Sequence, residues 1–155
     1  MTPQTLEPIL AEHPFFQGLP VEDIQLVAGC ASNAVFKAGE MLFREGEPAN
    51  QFYLIREGNV ALEVYAPGRG QVVLQTIGAG ELIGWSWLIP PYKWRVDGRA
   101  IGFVHAIALD GKCLRGKCDE NPRLGYELLK RVAGVFAERL LAARLQLLDV
   151  YGNRS

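Results

Sequence analysis

Phe36-Lys37-Ala38-Gly39-Glu40-Met41-Leu42-Phe43-Arg44-Glu45-Gly46-Glu47, followed closely by Phe52-Tyr53-Leu54-Ile55-Arg56-Glu57-Gly58-Asn59-Val60, is the stretch that decides the fold. Short runs rich in aromatic and branched residues are cut there by Ala38-Gly39, Glu45-Gly46 and Glu57-Gly58. Glycine at such junctions supplies tight turns. The pattern predicts strands over residues 34–37, 41–44, 51–56 and 59–65. Further strands follow over residues 71–77, 96–100 and 104–109, after Pro67-Gly68 and Gly78-Ala79-Gly80. Many short strands at this spacing build a sandwich or a closed barrel.

Helices flank this series. Leu6, Ile9 and Leu10 recur at helical spacing and predict a short amphipathic helix over residues 5–12. His13-Pro14 stops it, because proline disfavours helical backbone in the residue before it. Phe15 and Phe16 follow in a non-helical turn and plug the end of a core. Pro20 suits the first turn of a second helix, whose apolar face carries Ile24, Val27, Ala28 and Ala31. Asn121-Pro122 reads as an N-cap and first residue of a long helix, unbroken to Tyr151 and capped by Gly152. At 1.5 Å per residue its roughly 30 residues make a rod of about 45 Å, longer than a small barrel needs.

That rod carries two apolar lines. Leu129, Val132, Phe136, Leu140, Ala143, Leu147 and Val150 form one, and Leu128, Val135, Leu141, Leu145 and Leu148 the other. One line is expected to cover the barrel. The other calls for the same helix of a second copy, packed as a coiled coil, unless the N-terminal helices cover both.

Composition limits the functions available. Apolar residues make up 49% of the 155 and charged residues 21%, an ordinary globular mix that fits one domain. The expected organisation is helices over residues 1–32, the barrel over 33–110 and C-terminal helices over 111–155. A net charge of −1 offers nucleic acid no attraction, and the nine Lys or Arg against five Asp or Glu after Asp110 read as a solvated helix face. No apolar run approaches a membrane span, and the N-terminus lacks the pattern of a signal peptide. Three cysteines are an odd number, which argues against a disulfide framework and for a reducing, cytoplasmic home.

The segment where chemistry is expected is Gly80-Glu81-Leu82-Ile83-Gly84-Trp85-Ser86-Trp87-Leu88-Ile89-Pro90-Pro91-Tyr92-Lys93-Trp94-Arg95, which holds all three tryptophans. Gly84 lets the backbone fold tightly into one helical turn, leaving the amides of Trp85, Ser86 and Trp87 free to bind an anion. Arg95 could close over a phosphate through a bidentate contact. The same residues could equally make a rigid hydrophobic plug.

In order of elements and in residues the chain resembles the cyclic-nucleotide-binding domain of the catabolite-activator-like (Crp/Fnr) regulators. The resemblance runs from His13-Pro14-Phe15-Phe16-Gln17-Gly18-Leu19 through the opening stretch to Val60 and on to the last helix. It implies a mainly β fold with flanking helices: a jelly-roll (double-stranded β-helix) barrel, N-terminal helices and a long C-terminal dimerisation helix. It also implies a phosphate-binding cassette over residues 80–100, a cyclic AMP or cyclic GMP ligand and no metal. Carried onto this sequence, the ligand-binding residues are Gly84, Trp85, Ser86, Trp87, Leu88 and Arg95.

The cassette departs from the family pattern. Nucleotide-binding members carry Gly-Glu at the place of Gly84-Trp85, where the carboxylate accepts from the ribose 2′-hydroxyl, whereas an indole only donates. Counting forward from Gly84, Arg95 or Trp94 fills the place of the phosphate-binding arginine. Counting back from Ala100 favours Trp94, and a one-residue shift on a strand turns Arg95 to the other face. Glu81 could offer a replacement carboxylate or simply end a turn. The family's helix-turn-helix does not follow the long helix, so no direct contact with DNA is expected, and signalling would pass through a partner protein.

Other residues invite chemistry. Cys113 and Cys118 lie among Lys112, Arg115 and Lys117, which could lower their pKa for redox sensing, but their spacing is not that of redox or zinc motifs and Cys30 is distant in sequence. His13 is expected to cap a turn. His105, in a strand, is open to either face. Ser86 falls short of a nucleophile elbow and has no placed histidine, so no enzyme is expected. The expectation is a regulatory module that binds a small, nucleotide-like anionic ligand and works as a homodimer; the alternative is an interaction module that has lost its ligand.

Overall fold

A computed structural model describes residues 6–84 and 86–152 of the chain. Helix α1 (Glu7–Glu12), a 3-10 turn (Pro14–Phe16) and helix α2 (Val21–Ala28) precede strands β1 (Ala31–Phe36), β2 (Met41–Phe43), β3 (Gln51–Ala66), β4 (Gly70–Ile77), β5 (Leu82–Ile83) and β6 (Asp97–Asp110). Helices α3 (Gly111–Glu120) and α4 (Pro122–Gly152) end the chain. The strands pair antiparallel in the order β1-β6-β3-β4, with β2 added to β6 and β5 to β3. This is the jelly-roll with flanking helices that the family resemblance implied, one of the closed β architectures the turn pattern allowed.

Three turns share one chemistry. The Glu40, Glu47 and Glu81 carboxylates accept from the backbone N–H of Lys37, Arg44 and Gly78 at 2.7, 2.9 and 3.0 Å. The glycine before each glutamate has φ near +85°, at +86° (Gly39), +89° (Gly46) and +84° (Gly80). A left-handed residue turns the chain back, and the next carboxylate satisfies an amide that the turn leaves without a backbone partner.

Glu57-Gly58 is different. Expected as a turn, it lies within β3, and the two strands expected on either side of it are one. The pairing of β3 with β6 shifts register between Ile55 and Asn59, and Gly58 has φ +93°. A bulge absorbs the extra residues and bends both strands without breaking the ladder. The partner strand, expected as two pieces, likewise runs unbroken from Asp97 to Asp110 through Gly102 at φ +74°.

β3 and β6 have apolar cores on both faces. Phe52 and Leu54 on β3, with Ile107 and Leu109 on β6, face a cluster containing Leu10, Phe16, Ile24, Val27, Leu114, Leu124 and Leu128 from the helices. The intervening Tyr53, Ile55, Ala106 and Ala108 face the inside of the roll. Alternate side chains leave opposite faces of a strand, so two continuous apolar runs serve two cores.

The helix starts follow the sequence closely. The Phe15 N–H donates to His13 Nδ1 at 3.2 Å, the Cys113 N–H to Asp110 Oδ1 at 3.0 Å and the Leu124 N–H to Asn121 Oδ1 at 3.3 Å. Pro20 is the cap before α2 rather than within its first turn. α1 begins at Glu7, Thr5 lies outside the described residues, and α4 runs through Gly152 instead of ending before it. His105 is half-buried, its Nε2 3.4 Å from Asn33 Oδ1.

α4 does not divide into the two expected lines. Leu124, Leu128 and Val132 are buried together, although Val132 and Leu128 belong to different lines. The division runs along the helix: its first turns pack on α1, α2 and α3, while Leu140, Leu141, Leu145, Leu147 and Leu148 are each more than half exposed. A straight helix leaves a compact body once it passes the body's edge, whatever its pattern. Val150 lies outside the residues whose side chains are described.

The cysteines also require a correction. Cys30 and Cys113, 83 residues apart, form a disulfide with Cα atoms 5.8 Å apart. Pairing of Ala31 with Leu109, and an Asp110 N–H donating to the Cys30 carbonyl at 2.9 Å, bring the end of α2 onto the start of α3. An odd count leaves one cysteine over; it does not forbid one bond. The inference of a reducing compartment loses that premise. Cys118 is the free thiol, and its pKa is raised by burial and by Asp119 rather than lowered by the nearby cations. Lys117 is engaged instead with the Leu26 carbonyl at the end of α2, at 2.7 Å.

Candidate ligand-binding cavity

The cassette leaves the roll at Gly84, directly after β5. Gly84 has φ +102°, and a Cβ there would lie 2.5 Å from Trp94 Cη2 and 3.1 Å from Phe52 Cβ. Both the backbone and the space require glycine. Gly84→Ala is therefore expected to destabilise the fold by about 2–3 kcal/mol through left-handed strain and ring displacement. Chemical denaturation measures this, and a loss below half a kcal/mol would contradict the packing.

Among the described residues of the cassette after Gly84 no helix is formed. Ser86–Leu88 is a bare turn, and Pro90-Pro91 follows too soon for a helix to propagate, because neither proline has an N–H to donate. Trp85 lies outside the described residues.

The other cassette residues separate. Ser86 is buried and lines a cavity of about 310 Å³ between the roll and α4. Trp87 and Leu88 turn away from it into the helix-side core. Trp87 is 1% exposed, stacks on Phe52 with ring centroids 4.4 Å apart, and its Cβ would sit 2.6 Å from a Cβ at Gly111. Arg115 on α3 holds this turn, donating to the Trp87 carbonyl with its guanidinium 4.2 Å over the Tyr92 ring. Sequence reading missed Arg115, whose only signal was a charge among others on α3.

The far arm of the cassette is locked by backbone bonds. Trp94 donates to the Glu47 carbonyl at 2.9 Å and accepts from the Gly46 N–H at 2.8 Å, while the Ala49 N–H donates to Tyr92 at 2.7 Å. This register turns Trp94 inward, 6% exposed, and Arg95 outward to the cavity rim. Trp94 stacks on Phe43 with centroids 3.6 Å apart and planes within 7°. The count back from Ala100 favoured Trp94, and the count forward from Gly84 left Trp94 and Arg95 both open.

The cavity roof comes from α4. Phe136, Arg139 and Leu140 close over Phe43, Leu62, Leu74 and Ile83. Arg139 donates to the Leu82 carbonyl, and burial pushes its pKa down against the opposing pull of Glu81 and Glu138. A more polar cavity of about 460 Å³, reaching Arg131, Glu81 and Glu138, lies against the other side of Arg139. Neither histidine lines either space. Among the described residues no cluster of three metal-ligating side chains occurs, and no helix is long and apolar enough to cross a membrane.

Residues 34–121, more than half the chain, match the model of the cyclic nucleotide-binding domain. The chain belongs to that family. It is 27% identical over 145 residues to a CRP-like cAMP-activated global transcriptional regulator of Mycobacterium tuberculosis, covering 94% of this chain and 63% of that protein. The N-terminal domain of a transcriptional regulator from Streptomyces coelicolor is similar at 28% identity and TM-score 0.68, over 87% of this chain and 94% of that one. A cyclic nucleotide-binding domain from Methylobacillus flagellatus shares the fold at 20% identity and TM-score 0.78, over 95% of this chain and 83% of that one. The chain thus spans under two thirds of the mycobacterial regulator it matches. As a member of the cyclic nucleotide-binding domain family it has the expected roll and helices, with an indole turned inward and the cassette arginine at the rim.

Proposed function

We propose that the chain is a ligand-sensing regulatory module whose cavity between the roll and α4 takes a small anionic molecule, a cyclic nucleotide or a relative of one. The observation that carries this is the composition of the cavity wall, with the cassette on one side and Phe136, Arg139 and Leu140 of α4 on the other. A ligand touching both can favour one position of α4 over another, and only such differential contact shifts a population. The exposed leucines beyond Arg139 then carry the signal, to a second copy of the chain through α4 and onward to a partner protein. The mycobacterial relative is described as cAMP-activated, which makes cyclic AMP and cyclic GMP the first ligands to test, with small organic acids beside them.

The test is calorimetric titration of refolded, ligand-stripped protein with that panel. One-site saturable binding to at least one member is expected, abolished in Leu62→Trp, where the larger ring fills the cavity. Hydrogen exchange of α4 amides should slow on binding. Silence from every member at millimolar concentration would sink this reading. It would favour a ligand-free dimeric interaction module, for which the packing of Trp94 on Phe43 inside the roll speaks.

A further inference from the structure

Resting on the reading of this cavity as a ligand site, we infer that its ligand is an apolar organic anion without a sugar, and that Arg139 of α4 is the residue that meets the acid group. Three observations converge. First, nine of the fourteen lining residues are apolar, among them Phe43, Leu62, Leu74, Trp94 and Phe136, so the body of the ligand must be apolar to gain by entering. Secondly, no aspartate or glutamate lines the cavity among the described residues. Among the described side chains that line it, a ribose hydroxyl entering there would find Gln75 and Ser86 as acceptors, a poor exchange for water.

Thirdly, the charge is supplied from α4. Arg139 is held in the wall between the two cavities, and among the described residues its hydrogen bond goes to one backbone carbonyl, that of Leu82. A guanidinium has five N–H donors, and a carbonyl partner neutralises none of its charge. The Glu81 and Glu138 carboxylates act on Arg139 from the side of the more polar cavity, and an acid group entering the apolar cavity would take guanidinium donors that the Leu82 carbonyl leaves over, where Coulomb attraction is stronger than in water. Beside Gly84 lies the Trp94 ring, stacked on Phe43. Arg95 is exposed at the rim, where attraction is screened by solvent.

Contact with Arg139 also places the ligand's charge on the helix that leaves the body, eight residues before exposed Leu147. The acid group would thereby act on α4 directly rather than through the cassette.

The full chain should be titrated with 2-naphthoate, with its neutral isostere 2-naphthamide and with cyclic AMP. Naphthoate is expected to bind at one site at least about tenfold more tightly than either, the range of a charge-assisted hydrogen bond in a partly buried site. In Arg139→Gln the acid should weaken to the level of the amide while the amide is unchanged. Equal binding of acid and amide to the wild-type chain would overturn the inference with no variant needed, should Arg139→Gln fold poorly. Tighter binding of cyclic AMP than of naphthoate would overturn it too, and would leave the sensor reading standing. Silence from all three, together with silence from the wider panel, would remove both.

Discussion

Replacing Trp87 by alanine is expected to cost about 3–5 kcal/mol, the range for deleting a large aromatic side chain from a packed core. The indole is 1% exposed and lies flat on Phe52 at 4.4 Å, within a cluster that joins the roll to α2, α3 and α4. Its removal opens a void that Gly111, on the facing backbone, has no side chain to fill. A domain of this size has a total stability on the order of 5–15 kcal/mol, so much of it would go. Urea denaturation should show a large fall in midpoint with little change in slope. Trp87→Phe, which keeps a ring against Phe52, should recover most of the loss. A cost below 1 kcal/mol for the alanine variant would mean that the turn after Gly84 does not insert its second tryptophan into the helix-side core.

Reduction of the Cys30–Cys113 bond is expected to lower stability by about 2–4 kcal/mol, because it returns loop-closure entropy to the unfolded chain. The bond spans 83 residues, which places the effect toward the upper end. At roughly 2–4 °C per kcal/mol for a chain of this size, the melting temperature should fall by about 10 °C. Cys113→Ser should melt where the reduced protein does, and adding reductant to that variant should change nothing further. Alkylation in denaturant without reductant, read by mass, should modify one cysteine, Cys118. Modification of all three would show that the bond is absent and that α2 and α3 are held by their other contacts alone. Those include Lys117 on the Leu26 carbonyl, while Arg123 at the start of α4 ties the buried Asp23 of α2 at 2.6 Å.

The two experiments examine separate parts of one junction. Trp87 ties the cassette to the start of α3, and the disulfide ties the end of α2 to it, both within the helix-side core. If binding moves α4, the motion begins where these restraints end, beyond Val132, on the stretch that carries Arg139.

Much of this protein was legible from local chemistry. Ala38-Gly39 and Glu45-Gly46 announce tight turns, Asn121-Pro122 announces a helix start, and His13 before Pro14 announces a capped turn, because each rule concerns atoms within four residues of one another. The order of such signals gives a sandwich or barrel with flanking helices, and the resemblance to a known family narrows it to the roll. What lies between distant residues was not legible. Glu57-Gly58 has the composition of a turn, yet the matching bend at Gly102 in the partner strand makes it a bulge. Cys30 and Cys113 look unrelated until β1 pairs with β6. Which of Trp94 and Arg95 turns inward is decided by backbone bonds from Gly46, Glu47 and Ala49, a segment more than forty residues away. Arg139 reads as one more charge on a solvated helix face, and only the packing of α4 over the roll carries it into the wall of a cavity. Local rules determined the elements, because turns and caps are short-range; strand pairing and helix docking decided the site, because they alone bring distant side chains together.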